Sequence, residues 1–250
     1  MTGGKELSGK VAIVTGAGRN IGRAIALALA DAGAAVVVNV RSNWVEADKV
    51  VGEIEAAGGK AVSVPGDVGE AKTAEALAAA ALKHFGRVDI LVNNAALRGE
   101  KPLDQMSYDD WRAVMDVTLD GAFHCVQACL PALKKQGGAI VNIGGMSAHV
   151  GAKHRAHVMT AKAGLVGFTR ALAHDLAGDG ITANCVVPGA IDTERPDTSR
   201  NPARHLTHGT ITGERGKPED VAAMVRYLCG PGGGNVTGQS IHVSGGGYLG

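Results

Sequence analysis

With 250 residues, 45% of them apolar but only 3% aromatic, the chain suffices for one large α/β domain or two small ones, its core built from aliphatic side chains. A formal charge of +1 over scattered basic residues argues against a nucleic-acid or polybasic membrane surface, and no apolar run approaches the ~20 residues of a bilayer span. The opening MTGGKELSGK has no signal-peptide apolar core, and Cys125, Cys129, Cys185 and Cys229 form no Cys-x-x-Cys pair, so buried free thiols in a reducing cytoplasm are expected.

Val11–Val14 is a β-branched apolar run that reads as a buried strand. Thr15-Gly16-Ala17-Gly18-Arg19-Asn20-Ile21-Gly22 then breaks it, and from Ile21 the pattern turns helical, with Ile21, Ile25, Ala28 and Leu29 on one face. Strand, glycine loop and helix together are the setting of a phosphate-binding turn. Glycines let the backbone approach a diphosphate, whose charge meets the free N–H groups at the helix start. The spacing, Gly-x-Gly-x-x-x-Gly, is one residue longer than the usual dinucleotide fingerprint.

Strands follow at Ala34–Val40, Ala61–Val64, Asp89–Val92, Ala139–Ile143, Thr182–Val187 and Ser240–Val243. Between them lie helices over Trp44–Ala57, Glu70–Phe85, Tyr108 to about Lys135 (in one or two pieces), Val158–Ala177 and Pro218–Leu228. Residues from Ala190 to about Gly216 show no periodicity and read as a mobile loop or lid. No Pro/Ser-rich spacer, charge block or repeat divides the chain. The alternation predicts a single-domain, Rossmann-type, doubly wound parallel sheet of about seven strands, with helices on both faces and right-handed crossovers. Ligands of such sheets bind beyond the carboxyl ends of the strands, here Thr15-Gly16, Arg41, Asp67, Asn93, Ile143-Gly144 and Pro188-Gly189.

A site that prefers NAD places a carboxylate after the second strand, to bond the ribose 2′-hydroxyl. Asn39-Val40-Arg41-Ser42 carries none, whereas Arg19, Arg41 and the Ser42 hydroxyl suit a 2′-phosphate. A charge-assisted hydrogen bond contributes about 1.5–3 kcal/mol, on the order of ten- to a hundred-fold in affinity, so NADPH is expected to bind more tightly than NADH.

These motifs resemble the short-chain dehydrogenase/reductase family across almost the whole chain. Thr15–Gly22 is similar to its cofactor loop, including the longer glycine spacing, and Asp67-Val68 to its adenine-contacting pair. Asn93-Asn94-Ala95 resembles its Asn-Asn-Ala-Gly turn, with Ala96 in place of the glycine. Pro188-Gly189-Ala190-Ile191-Asp192-Thr193 is similar to the segment that holds the nicotinamide amide. Gly216-Lys217-Pro218-Glu219-Asp220-Val221 and Thr237-Gly238-Gln239 resemble the branch containing 3-oxoacyl-carrier-protein reductases. The resemblance implies cofactor contacts at Gly16, Gly18, Arg19, Asn20, Ile21, Gly22, Arg41, Ser42, Asp67, Val68, Asn94, Ala95, Lys162, Pro188, Gly189, Ile191 and Thr193. It also implies a homo-oligomer, a dimer or tetramer.

The family's proton-delivery set is Asn, Ser, Tyr and Lys, the last two stacked four residues apart on one helix face. Only Lys162 fits: the resemblance places Val158 where tyrosine belongs, Gly145 where serine belongs and Thr118 where asparagine belongs. Ser147 lies two residues beyond Gly145, and His149, Lys153, His154, Arg155 and His157 crowd the helix entrance. Histidine is a natural proton carrier near neutral pH. Seven residues from Lys162, Arg155 is nearly in line with it on an ideal helix, whereas His157 is five away and off that face, which favours Arg155 in the cleft. The cluster reads either as a solvated basic entrance or as a pocket for an anionic substrate. Candidate catalytic residues are therefore Lys162, Ser147, His157 and Arg155. His205 and His208, with no Cys or carboxylate beside them, are not expected to bind a metal.

Three functions fit. The first is an NADP-dependent oxidoreductase of a small carbonyl or alcohol with atypical proton delivery. The second is a non-catalytic NADP(H)-binding protein or partner subunit, and the third a lyase or isomerase on the same scaffold.

Overall fold

The computed structural model describes residues 5–193 and 209–250. Its strands are β1 (Val11–Val14), β2 (Ala35–Val40), β3 (Lys60–Pro65), β4 (Ile90–Asn93), β5 (Gly138–Ile143), β6 (Ile181–Pro188) and β7 (Ser240–Val243). They form one parallel sheet in the order β3-β2-β1-β4-β5-β6-β7. The helices are α1 (Asn20–Asp31), α2 (Trp44–Ala56), α3 (Ala71–Phe85), α4 (Tyr108–Met115), α5 (Gly121–Leu133), α6 (Ser147–Val150), α7 (Ala156–Leu176) and α8 (Pro218–Cys229).

Parallel strands buried on both faces need continuous apolar runs, and β1 (VAIV) and β2 (AVVVNV) supply them. Alternate residues feed two cores. Val14, Val36 and Val38 pack with Ile25, Leu29, Val50, Val225 and Leu228 of α1, α2 and α8. Ile13 and Val37 pack with Leu77, Ala81, Leu133, Leu172 and Leu176 of α3, α5 and α7. All four cysteines are free; Cys125, Cys129 and Cys185 are buried, as expected, while Cys229 is only partly so, and burial pushes the Cys185 thiol up to about 11.

Two elements depart from the sequence expectation. The helical stretch from Tyr108 is interrupted by a π-turn at Asp116–Asp120, where the Gly121 N–H bonds back to the Asp116 carbonyl. α6 is a single turn closed by Gly151 in the left-handed region (φ +88°), too short to leave a periodic signal. Residues 194–208 of the expected lid, with Glu194, His205 and His208, lie outside the described residues. The described ends of that stretch are joined: Ile191 bridges Gly216, with Asp192 N–H donating to the Gly216 carbonyl (2.7 Å) and Gly216 N–H to the Ala190 carbonyl (3.0 Å). No helix among the described residues is long and apolar enough to cross a membrane.

Candidate functional site

The sheet order reverses between β1 and β4, and the glycine loop lies at that switch point, where ligands of open α/β sheets bind. Buried Thr15 ties the two strand ends together: its Oγ1 accepts from the N–H groups of Asn94 (2.9 Å) and Ala95 (3.0 Å). Asn94 Nδ2 donates to the carbonyls of Thr15 and Gly16, each at 2.9 Å. Gly16 adopts φ +61°, and a Cβ there would stand 2.9 Å from the Ala95 Cα. On Gly22 a Cβ would collide with the Gly16 carbonyl oxygen. Asn39, buried at the end of β2, accepts from the Gly16 N–H (3.3 Å) and donates to the carbonyls of Val64 (3.0 Å) and Gly66 (3.1 Å). It fixes the loop against three strand ends, a role its sequence position does not announce.

This cradle fits a dinucleotide diphosphate. α1 begins with Arg19 in extended conformation and no side-chain hydrogen bond caps its first turn, which leaves those N–H groups for an anion. Arg19, Arg41 and Ser42 are exposed around the loop, and among the described residues neither arginine makes an ion pair. Asp67 closes its own turn by accepting from the Gly69 N–H (3.0 Å), and Val68 is buried against the position of Gly121. One group here went unnoticed in the sequence. Glu46, in the first turn of α2, places Oε2 3.1 Å from where a Cβ on Gly18 would stand. A carboxylate does face the loop at Gly18, delivered by α2 rather than by the end of β2.

At the other end of the cleft Lys162 is buried, and its Nζ donates to the Ile143 carbonyl at 2.5 Å. Burial lowers its pKa to about 8, the Arg98 guanidinium adds repulsion, and the Cys185 thiol acts weakly the other way. Beneath it runs a buried relay: Asn93 Nδ2 donates to Asn142 Oδ1, and Asn142 Nδ2 to Thr169 Oγ1, both at 2.9 Å. The relay locks β4, β5 and α7 together and so fixes the carbonyl that holds the lysine. Pro188 and Gly189 are positioned from two sides. Met146 N–H donates to the Pro188 carbonyl (3.0 Å) and Gly189 N–H to the Val243 carbonyl (2.9 Å). Ile191 is buried, and Thr193 is the last residue described before the gap.

The remaining candidates do not converge on Lys162. Ser147 opens α6 and makes no hydrogen bond to it. α7 starts at Ala156, so Arg155 precedes the helix and the expected alignment with Lys162 fails; its guanidinium instead donates twice to Glu100 Oε1, at 2.6 and 3.1 Å. His157 is the buried one of the pair, only 4% exposed, with Nδ1 unpartnered. Burial lowers its pKa against the pull of the Asp110 carboxylate. Val158 packs in an apolar cluster with Val114, Met115, Ala161, Leu97 and Trp111, and carries no proton. Thr118 lies in the π-turn with its hydroxyl buried and unpartnered. At Gly145 a Cβ would meet Lys162 Cγ at 3.8 Å, an ordinary contact, so the position has room for a side chain. No group of three or more metal-ligating side chains occurs among the described residues.

Known proteins share this fold and much of this sequence. The family model described as enoyl-(acyl carrier protein) reductase matches residues 16–247. A 3-oxoacyl-[acyl-carrier-protein] reductase of Synechocystis is 40% identical over 96% of this chain and 97% of its own length. A reductase of the same name from Staphylococcus aureus is 37% identical over 96% of this chain and 98% of its own. Among solved structures, a dehydrogenase/reductase of Sinorhizobium meliloti superposes with a TM-score of 0.93 at 37% identity, covering 99% of this chain and 98% of that one. A blue fluorescent protein from a metagenomic library, in complex with NADPH, superposes with a TM-score of 0.90 at 35% identity, covering 98% of this chain and all of that one. Likeness of this extent, in sequence and in backbone, establishes descent: the chain belongs to the short-chain dehydrogenase/reductase family.

Proposed function

We propose that the chain is an NADP(H)-dependent oxidoreductase of a small carbonyl or alcohol whose proton is delivered without tyrosine. The observation that carries this reading is Lys162, buried beside the carboxyl end of β5 with its Nζ on the Ile143 carbonyl. The cofactor, when bound, supplies or accepts the hydride. The glycine loop and the uncapped start of α1 hold the diphosphate, Arg19, Arg41 and Ser42 a 2′-phosphate, and Asp67 with Val68 the adenine. Asn94, Ala95, Pro188, Gly189, Ile191 and Thr193 frame the nicotinamide end. The NADPH-bound relative supports NADP. With a pKa lowered to about 8, the Lys162 ammonium can give a proton to a developing alkoxide near neutral pH and regain it from water.

Loss of reduced-nicotinamide absorbance over a carbonyl panel tests this, with wild type beside Lys162→Ala and His157→Ala. Turnover abolished by Lys162→Ala is the expected result. Wild-type turnover unaffected by that change would sink the lysine's role.

A second reading draws on Val158. Its place in the Trp111–Met115 cluster fills the acid's position with core, as in a protein that binds NADP(H) without turning it over. Tight NADPH binding with no turnover on any carbonyl would favour it. A homo-oligomer belongs to either reading. Exposed Leu103 ahead of α4, Tyr108 at its start and Phe123 on α5 supply apolar surface for it, and light scattering measures the state.

A further inference from the structure

Beyond β7 the chain from Ser244 to Tyr248 folds back beside the Pro188–Ile191 segment. Gly245 and Gly246 turn it in the left-handed region, at φ +57° and +79°. A Cβ on Gly189 would collide with Ser244, at 2.7 Å from its Cα. On one side this tail meets the described end of the expected lid. Thr212 N–H donates to the Gly245 carbonyl (3.2 Å), and a Cβ on Gly246 would stand 2.8 Å from Ile211 Cδ1. On the other it meets the residue before α6, where a Cβ on Gly247 would stand 3.2 Å from Met146 Sδ.

Three rings pin the tail there. Tyr248 lies 4.5 Å from the His242 ring of β7 and 5.4 Å from the His149 ring of α6, and the two imidazoles meet nearly edge-on at 4.6 Å. His149 Nε2 and His242 Nδ1 are buried without a hydrogen bond, and among the described residues no carboxylate pairs with either ring. The titratable groups that face one another are thus His149 from α6, His242 from β7 and the Tyr248 phenol from the tail. β6 sets only Val187 opposite His242. α7 meets the α6 loop through Met159, whose sulfur takes the Ala152 N–H (3.1 Å), and turns Lys162 to the Ile143 carbonyl instead. Lys153 and His154, exposed just beyond α6, add charge of the same sign. Burial, and then the His149 charge, lowers the His242 pKa. One imidazolium is tolerable beside the Tyr248 ring, whose face attracts a cation. A second sets two like charges 4.6 Å apart with no anion between them. The pair therefore resists its second proton.

We propose that His149, His242 and Tyr248 form a pH-sensitive latch, which holds the tail against the Pro188–Ile191 segment near neutral pH and releases it when both imidazoles are charged. The sign follows from linkage. Imidazoles that resist protonation in the latched form stabilise it above the ordinary histidine value, ~6.5, and that contribution is lost as pH falls below it. The latch needs no cofactor. That its release loosens dinucleotide binding rests on the NADP(H) reading above.

Hydrogen exchange at pH 7.5, 6.0 and 5.0, corrected for the chemical effect of pH on the exchange rate, tests the latch without cofactor. Protection of residues 146–150 and 244–248 is expected to fall about tenfold or more from pH 7.5 to 5.0, a factor of ten for each pKa unit resisted. α3, which contributes nothing to the cluster, keeps its protection, and in His242→Gln the tail's protection no longer follows pH. Should that variant fail to fold, proton NMR of the wild-type imidazoles decides. The lower of the pair's two titration steps is expected below ~6.5, and His149→Gln moves His242 back toward that value. Protection that ignores pH, that falls equally in α3, or that falls as steeply in His242→Gln overturns the latch, and so does a pair that titrates wholly at ~6.5 or above. NADPH titration over the same range separates the two readings. Binding weakened about tenfold by acid in wild type, and less in His242→Gln, upholds the coupling to the dinucleotide site. Binding that ignores pH overturns the coupling alone, and no binding at any pH removes the NADP(H) reading while the latch stands.

Discussion

The Lys162 ammonium donates to the carbonyl oxygen of Ile143 at 2.5 Å, so the cation of the candidate site is held by the last residue of β5. That carbonyl belongs to a strand whose preceding residue, Asn142, is bonded on one side to Asn93 and on the other to Thr169. A charge buried against one neutral acceptor is costly to keep, and proteins retain such groups where function uses them.

Lysine 162 makes stability depend on pH in a direction opposite to that of a salt-bridged lysine. Its folded pKa is lowered from 10.5 to about 8, so between those values the unfolded chain binds the extra proton and stability rises with pH. The full span corresponds to about 3 kcal/mol, at roughly 1.4 kcal/mol per pH unit. Lys162→Met removes the titration. The stability difference between wild type and this variant, from urea unfolding at pH 7.5 to 10.5, is therefore expected to shift in favour of wild type as pH rises. A difference that stays flat rules out the buried ammonium. Turnover that uses the Lys162 proton falls over the same alkaline range.

Asp89 titrates in the opposite sense. It lies buried at the start of β4, where burial alone would raise its pKa, but Arg87 (2.7 and 2.6 Å), the Val11 N–H (2.9 Å) and Lys10 (3.1 Å) together hold it below the usual carboxylate range. With the folded pKa depressed, its contribution is present above the unfolded value, ~3.9, and is lost as pH falls through the folded one. Asp89→Asn removes the carboxylate from two cations that water still reaches, and is expected to cost about 1–2 kcal/mol at pH 7, and less toward pH 3. Equal destabilisation at both pH values argues that the loss is one of packing alone.

The positions that separate this chain from the family pattern are not equally open. Gly145→Ser puts its Cβ at an ordinary 3.8 Å from Lys162 Cγ and is expected to change stability by less than about 0.5 kcal/mol. Val158→Tyr must displace part of the Leu97–Trp111–Met115 cluster and is expected to cost about 1–3 kcal/mol. If the cluster yields, the double variant regains a general acid, worth about 10²–10⁴-fold in reductase rate. Thermal unfolding and NADPH turnover of the two single variants and the double variant measure both effects. A Val158→Tyr protein as stable as wild type disproves the tight cluster.

Most of the fold was legible because each strand is a local apolar run and each helix a local period. β1 and β7 match their predicted bounds, β2 and β5 differ by one residue at the start alone, and β3, β4 and β6 by one residue at each end. The glycine loop was legible because its glycines, the strand before them and the helix after them are contiguous in sequence, although the neighbour that forbids a side chain at Gly16 is the distant Ala95. The parts that were not legible depend on chain paths between distant segments. Nothing local shows that Glu46 reaches back over Gly18, or that the strap after β4 is fastened to His154, Arg155 and His157. The helix-wheel argument for Arg155 failed for a similar reason. It needed α7 to begin before Ala156, and Glu100, far away in sequence, takes the guanidinium instead.

Glu46 bears on cofactor choice. Its carboxylate stands beside Gly18, at the end of the loop where exposed Arg19 and Arg41 also lie. A 2′-phosphate would be attracted by the two arginines and repelled by this carboxylate, whereas a ribose 2′-hydroxyl can donate to it. The arginines should win for NADPH, because two cations oppose one anion, but by less than they would alone. Glu46→Gln is then expected to tighten NADPH by up to about fivefold, the scale of a partly exposed charge pair, and to weaken NADH. Arg41→Ala is expected to weaken NADPH about ten- to a hundred-fold and to leave NADH nearly unchanged. Fluorescence titration of both reduced nucleotides against the three proteins measures this directly. Opposite movements of the two dissociation constants in Glu46→Gln establish the carboxylate as a specificity element; movement of both in the same direction makes it only the first acidic residue of α2, stabilising a helix start.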